Sequence, residues 1–177
     1  MKKIPLKQLI NTFLVVLLTV SSAGFLYFTF YDTPPQAMQQ TVDLDSKELI
    51  IEAIHGEPIN FNSFSSKVIV VNFWATWCGP CLIEIPALIS LQQTYSSDDL
   101  QIVGISLDDS ADSVKAFLKK MSFNYPIAMS SYRIKKKFGE IYSIPTTFIL
   151  DNTLTIKHKL QGYHSKNTLE SIIISLL

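Results

Sequence analysis

Residues 68–74 read VIVVNFW, and from this continuous apolar, β-branched stretch the chain runs almost at once into Trp77-Cys78-Gly79-Pro80-Cys81. Such a run suits a strand buried on both faces of a mostly parallel sheet, and a parallel strand requires a crossover helix after it. The segment from Gly79 to about Tyr95 provides that helix. Leu82, Ile85, Leu88, Ile89 and Leu91 fall near helical spacing, and Pro86 predicts a kink rather than a stop.

The chain has two cysteines, 78 and 81, and their place between a buried strand and a helix start makes the pair informative. A helix N-terminus presents unsatisfied N–H groups and the positive end of the dipole, so a thiolate at Cys78 is stabilised and Cys78 is the expected nucleophile. Cys81 lies about one turn deeper on the same face, where it can attack a mixed disulfide formed by Cys78 and so act as the resolving thiol. Gly79 lets a partner's backbone approach closely, and Pro80 fits the first turn, where no donor is lost.

Blander readings carry little weight here. A purely structural disulfide across three residues closes too small a loop to add much chain-entropy stabilisation. Zinc needs four ligands, and His55, His158 and His164 are not at a ligand spacing with the cysteines. Covalent haem attachment wants His directly after the second cysteine, where Leu82 stands.

Around this centre the order of elements is regular. LIIEAI (49–54) and PINF (58–61) flank His55-Gly56-Glu57 and read as an N-terminal hairpin. QIVGISL (101–107) is the next core strand, Asp108 to Ser110 offer N-cap chemistry, and Val114, Phe117, Leu118 and Met121 form a helix face. PIAMS (126–130) and a helix over about 132–138 ending at Gly139 make a third unit. TTFIL (146–150) and LTIKHKLQG (154–162), joined by Asp151-Asn152-Thr153, predict an antiparallel pair, and Lys166–Leu177 a final helix. The expected fold is α/β in three layers, a mixed central sheet flanked by helices. The basic run Arg133, Lys135, Lys136 and Lys137 is taken as a solvated helix face, the commoner role of such a run, rather than a docking patch for an acidic partner.

Residues 9–31 carry no charge, and about 20 apolar residues suffice to cross a bilayer. Lys2, Lys3 and Lys7 precede this run, and Asp32-Thr33-Pro34-Pro35 follow it, which places residues 1–8 in the cytoplasm and the remainder outside. A cleaved secretory signal is the competing reading, with Ser21-Ser22-Ala23-Gly24 as a weak cleavage site. The apolar stretch continues past that cluster to Phe30 and Tyr31, which favours a retained transmembrane anchor. The expected division is a cytoplasmic N-terminus (1–8), an anchor (9–31), a tether (32–44) and a catalytic domain (45–177). Without residues 1–31 the chain has 12 basic against 15 acidic residues, a net charge of −3, and neither a basic stripe nor an acidic tail points to nucleic acid.

VVNFWATWCGPCLIEIPAL resembles the active-site segment of the thioredoxin superfamily, most closely its membrane-anchored TlpA-like and ResA-like thiol-disulfide oxidoreductases. YSIPTTFILD (142–151) and the Gly162 region fall at the family's distances downstream, so the resemblance covers nearly the whole outer domain. It implies a cis bond at Ile144-Pro145, with backbone there available to pair with substrate. It also implies that Glu84 tunes the cysteines as proton acceptor for Cys81, a role consistent with its place one turn beyond Cys81. Asn72 stands where thioredoxin itself has a buried Asp, leaving Glu84 as the nearby carboxylate. Trp77 is assigned to the rim of the site with Gly79, Pro80, Ile144 and Pro145 as substrate-contacting positions, and Trp74 to the core.

The implied activity is thiol-disulfide exchange with no dissociable cofactor, most simply as a reductase of protein disulfides in the periplasm or on the outer face of the cytoplasmic membrane. The resemblance implies a membrane electron donor of the CcdA or DsbD kind and a substrate such as an apocytochrome c. A disulfide-forming oxidase or isomerase is the enzymatic alternative, since potential decides direction. A non-catalytic peptide-binding or assembly module is the alternative of another class. A peroxidase is disfavoured because Ala75 occupies the place where peroxiredoxin-type sites keep Thr.

Overall fold

The computed structural model describes residues 49–139 and 141–177. The anchor expected at 9–31 and the tether at 32–44 lie outside the described residues. Among the described residues no helix is long and apolar enough to cross a membrane.

A five-stranded sheet is built from β3 (Val68–Trp74), β4 (Leu100–Ser106), β5 (Ile127–Met129), β6 (Thr146–Asp151) and β7 (Ile156–Gln161), in the order β5-β4-β3-β6-β7. β3, β4 and β5 are parallel, while β6 runs antiparallel to β3 and β7 antiparallel to β6. The crossover helices are α1 (Gly79–Thr94) and α2 (Ala111–Leu118), followed by α3 (Tyr132–Phe138) and the closing α4 (Lys166–Ile174). This is the expected arrangement of a mixed central sheet flanked by helices.

β3 has all seven residues buried, and its alternation divides the interior into two halves. Val68, Val70 and Trp74 pack with Ile85, Leu88 and Leu91 of α1, Val114 of α2, and Leu169 and Ile173 of α4. Ile69, Val71 and Phe73 pack on the opposite face with Ile134 and Phe138 of α3 and with Leu49, Ile59 and Phe61. Fully burying one such aliphatic side chain is worth about 1.5–3 kcal/mol, so the two apolar layers hold the strand that leads into the cysteines. Asn72 shares its parity with Val70 and Trp74, so the strand's one buried amide is directed to the α1 side of the sheet.

α1 continues through the exposed Pro86, in keeping with the expectation that this proline does not stop the helix. Several other local details differ from expectation. β1 (Ile50–Ile51) and β2 (Ile59–Asn60) form a separate antiparallel pair of two residues each, with Gly56 at φ +86° in the connection. The pair is short because the chain leaves it for the main sheet: Ala53 bridges Ala128, and the Ile54 N–H donates to the Ile127 carbonyl at 2.7 Å. α4 ends at Ile174, so Leu177 lies beyond the helix and is exposed. Ser110 alone caps α2, its side chain accepting from the Asp112 N–H, and Asp108 serves elsewhere.

Candidate active site

β3 delivers the chain into a loop, Ala75–Trp77, and Cys78 becomes the N-cap of α1 with φ −90° and ψ 100°. Its sulfur accepts from the Cys81 N–H at 3.3 Å, satisfying one of the donors that a helix start leaves open. Pro80 occupies the first turn of α1, where its missing N–H costs nothing. Cys78 and Cys81 are joined in a disulfide, and both residues are buried. Gly79, Pro80 and Trp77 beside them are exposed, Trp77 at 69%. Trp74 is in the core.

The opposite wall comes from the segment before β6. The Ile144-Pro145 peptide is cis, as the resemblance implied. The Ile144 carbonyl oxygen lies 3.7 Å from the Cys78 sulfur. The Thr146 hydroxyl donates to the Ser143 carbonyl at 2.6 Å, and the Gly162 N–H to the Pro145 carbonyl at 2.8 Å, so both sides of the cis bond are tied down. Gly162 adopts φ +81°, the left-handed region that glycine enters without strain.

Glu84, one turn beyond Cys81 on α1, is fully buried. Its carboxylate accepts from Asn72 Nδ2 at Oε2, 2.9 Å away, and from the His164 backbone N–H at Oε1, 2.8 Å away. Asn72 Nδ2 also donates to the hydroxyl of Thr147 at 2.9 Å, its register partner on β6. Burial pushes the Glu84 carboxyl above the ordinary glutamate range, outweighing the His164 N–H, the nearby His164 ring, Asn72 and Thr147, which all favour the charged form. A carboxyl raised in this way is a better proton acceptor than a solvated one. Burial, with Glu84 nearby as a secondary cause, likewise raises the phenol of Tyr125 well above its usual range.

A second buried carboxylate holds the loop that precedes the cysteines. Asp108 accepts from the Thr76 N–H at 2.9 Å, the Thr76 hydroxyl at 2.6 Å and the Ser106 hydroxyl at 2.7 Å. Thr76 is thereby fixed two residues before Cys78. Sequence reasoning missed this clamp, having assigned Asp108 to the cap of α2. It also missed the Glu84 contact of His164, which is made by a backbone N–H that no side-chain pattern announces. The basic residues of α3 are not part of this constellation: Arg133, Lys135 and Lys136 are exposed and Lys137 partly so.

With this geometry in place, likeness to known proteins is informative. Residues 39–159 match the model of the AhpC/TSA family. The chain is 26% identical over 167 residues to the thiol-disulfide oxidoreductase ResA of Bacillus thuringiensis subsp. konkukian, covering 94% of this chain and 95% of that protein. It is 31% identical over 170 residues to the thioredoxin-like protein YneN of Bacillus subtilis, covering 93% and 96%. Among solved structures, a thioredoxin-family thiol:disulfide interchange protein of Chlorobium tepidum TLS superposes with a TM-score of 0.67 at 30% identity, over 72% of this chain and 91% of that one. StoA of Bacillus subtilis superposes with a TM-score of 0.61 at 26% identity, over 69% and 92%. The chain belongs to the AhpC/TSA family and is a thioredoxin-like thiol-disulfide oxidoreductase.

Proposed function

We propose that this enzyme reduces disulfides of other proteins on the extracytoplasmic side of a membrane to which residues 9–31 anchor it. The observation that carries the reading is the Cys78–Cys81 pair at the start of α1, with the Ile144 carbonyl 3.7 Å from the Cys78 sulfur and a buried carboxyl one turn past Cys81. In the reduced enzyme the Cys78 thiolate attacks one sulfur of a substrate disulfide. The substrate S–S bond breaks, its other sulfur leaves as a thiolate, and a mixed disulfide joins Cys78 to substrate.

Glu84 then accepts the Cys81 proton, and the Cys81 thiolate attacks the Cys78 sulfur. The second substrate thiolate is released, and the enzyme is left with the Cys78–Cys81 disulfide. Two electrons have passed to the substrate, and a second exchange must return the pair to dithiol. Trp77, Gly79, Pro80, Ile144 and Pro145 form the surface against which a substrate segment lies, with the Ile144 backbone as its hydrogen-bonding edge.

The uncharged run 9–31, the lysines ahead of it and the oxidising chemistry of extracytoplasmic spaces support the location. A reductase working there needs electrons from inside, so its donor is a membrane protein of the CcdA or DsbD kind, and an apocytochrome c with oxidised haem-binding cysteines is a fitting substrate. Cys81→Ser in the full-length protein tests the reading, because it arrests exchange at the mixed disulfide. Covalent adducts that disappear in Cys78→Ser/Cys81→Ser and on reduction support it. An absence of adducts from cells secreting disulfide-containing proteins counts against it.

A further inference from the structure

We propose that His164 is a positioning residue for the exchange reaction, its imidazole closing the 162–164 turn that ties the cis-proline segment to the Glu84 carboxylate. Nδ1 of His164 lies 2.9 Å from the carbonyl oxygen of Gly162, two residues back. A carbonyl oxygen only accepts, so Nδ1 carries the proton and the ring donates. That bond fixes the turn from within.

Two backbone N–H groups of the same turn then point at different parts of the site. The Gly162 N–H donates to the Pro145 carbonyl at 2.8 Å, and the His164 N–H to Glu84 Oε1 at 2.8 Å. One side chain therefore sets the spacing between the backbone that flanks Cys78 and the carboxylate one turn beyond Cys81. The neighbouring Ser165 hydroxyl is engaged with Thr168 at the start of α4 instead. His164 is only partly buried, so it is not a core residue.

The surroundings of Glu84 allow this effect to be isolated. Asn72 from β3 and Thr147 from β6 are neutral. The titratable groups that bear on the carboxylate are Tyr125 from the segment before β5 and His164, joined on its own helix by Cys81 and the N-cap Cys78 once the disulfide is reduced. The His164 N–H favours ionised Glu84, so opening the turn moves the carboxyl further up.

The inference rests on Glu84 serving Cys81 as proton acceptor, and the test separates the two. Reduced full-length enzyme is mixed with dithiobis(nitrobenzoate), and the release of the second thionitrobenzoate, which Cys81 drives from Cys78, is followed against pH. His164→Ala is expected to slow this phase by about tenfold at neutral pH, the scale of one good hydrogen bond, and to move its ascending limb to higher pH. His164→Asn, whose side-chain N–H can reach the Gly162 carbonyl, restores the rate, and Glu84→Gln/His164→Ala behaves as Glu84→Gln alone.

If Glu84→Gln alters the profile and His164→Ala does not, the positioning role is overturned while the role of Glu84 stands. If Glu84→Gln alters nothing, both fall together. Nitrogen NMR of the unmodified protein gives an answer that does not depend on the folding of any variant: neutral His164 protonated on Nδ1 supports the turn, and the Nε2–H tautomer overturns it.

Discussion

The side-chain amide of Asn72 donates to Glu84 Oε2 at 2.9 Å, so the one buried polar residue of β3 and the buried carboxyl of α1 satisfy one another. The strand's two-residue period directs Asn72 to the α1 side, and the helix presents Glu84 one turn beyond Cys81. Asn72→Ala leaves a fully buried carboxylate short of a donor and the Thr147 hydroxyl short of its partner. The expected cost is about 1–3 kcal/mol of unfolding free energy, measured by urea denaturation at neutral pH. A loss below about 0.5 kcal/mol, within the range of ordinary surface substitutions, would show that the bond carries no weight.

Glu84 also makes stability depend on pH in a definite direction. Its folded-state value is raised, so between the ordinary glutamate value of about 4.3 and that raised value the folded protein holds more protons than the unfolded chain. Stability therefore falls as pH rises through this window and remains at the lower level above it. Glu84→Gln, which keeps an acceptor for the His164 N–H while the Asn72 amide can turn to accept, removes that fall. The variant is expected to match the wild type below about pH 4, to gain on it as pH rises through the window and to keep that gain above it, as read from denaturation midpoints across pH. A variant that loses ground as pH rises contradicts the assignment.

Asp108 gathers three donors from Thr76 and Ser106 and so fixes the loop that carries Trp77 and Cys78. Asp108→Ala strands those donors, and a destabilisation of about 2–3 kcal/mol is expected, because hydrogen bonds to charged groups are the stronger kind. Thr76→Val, which removes only the hydroxyl and keeps the backbone bond, should cost less than half as much. Equal losses in the two variants would argue against a clamp shared between them.

Gly104, opposite Asn72 in register on β4, is required by packing. A Cβ there would meet Ile127 Cδ1 at 2.5 Å, Trp74 Nε1 at 3.2 Å and Tyr125 Cε2 at 3.4 Å. Gly104→Ala should therefore cost about 1–3 kcal/mol, as overpacked cores do, and alter the fluorescence of Trp74. A variant as stable as the wild type would mean that the Ile127 side chain moves aside freely.

What could be read in the sequence was whatever has a local signature. VIVVNFW and QIVGISL announce buried strands by unbroken apolar content, and Cys78-Gly79-Pro80-Cys81 announces its chemistry by sitting between strand and helix. Ser110, within the segment read as offering a cap, does cap its helix. The contacts that complete the site are long-range and left no such mark. Asp108 and Thr76 are 32 residues apart, and an Asp two residues before a capping serine looks like part of the cap. Glu84 and His164 are 80 apart and meet through a main-chain N–H, which every residue but proline possesses. His164 was considered only as a metal ligand, where its spacing argued against it, and its ring bond to Gly162 depends on a turn visible only in three dimensions.

The reduction potential of the Cys78–Cys81 pair tests the central claim most directly. The full-length protein, equilibrated in graded thiol-disulfide buffers, reports its redox state through the fluorescence of Trp74 and Trp77, its two tryptophans. A reductase of protein disulfides predicts a value near or below about −250 mV, in the range of thioredoxin; a value above roughly −180 mV, the range of isomerases and oxidants, contradicts it.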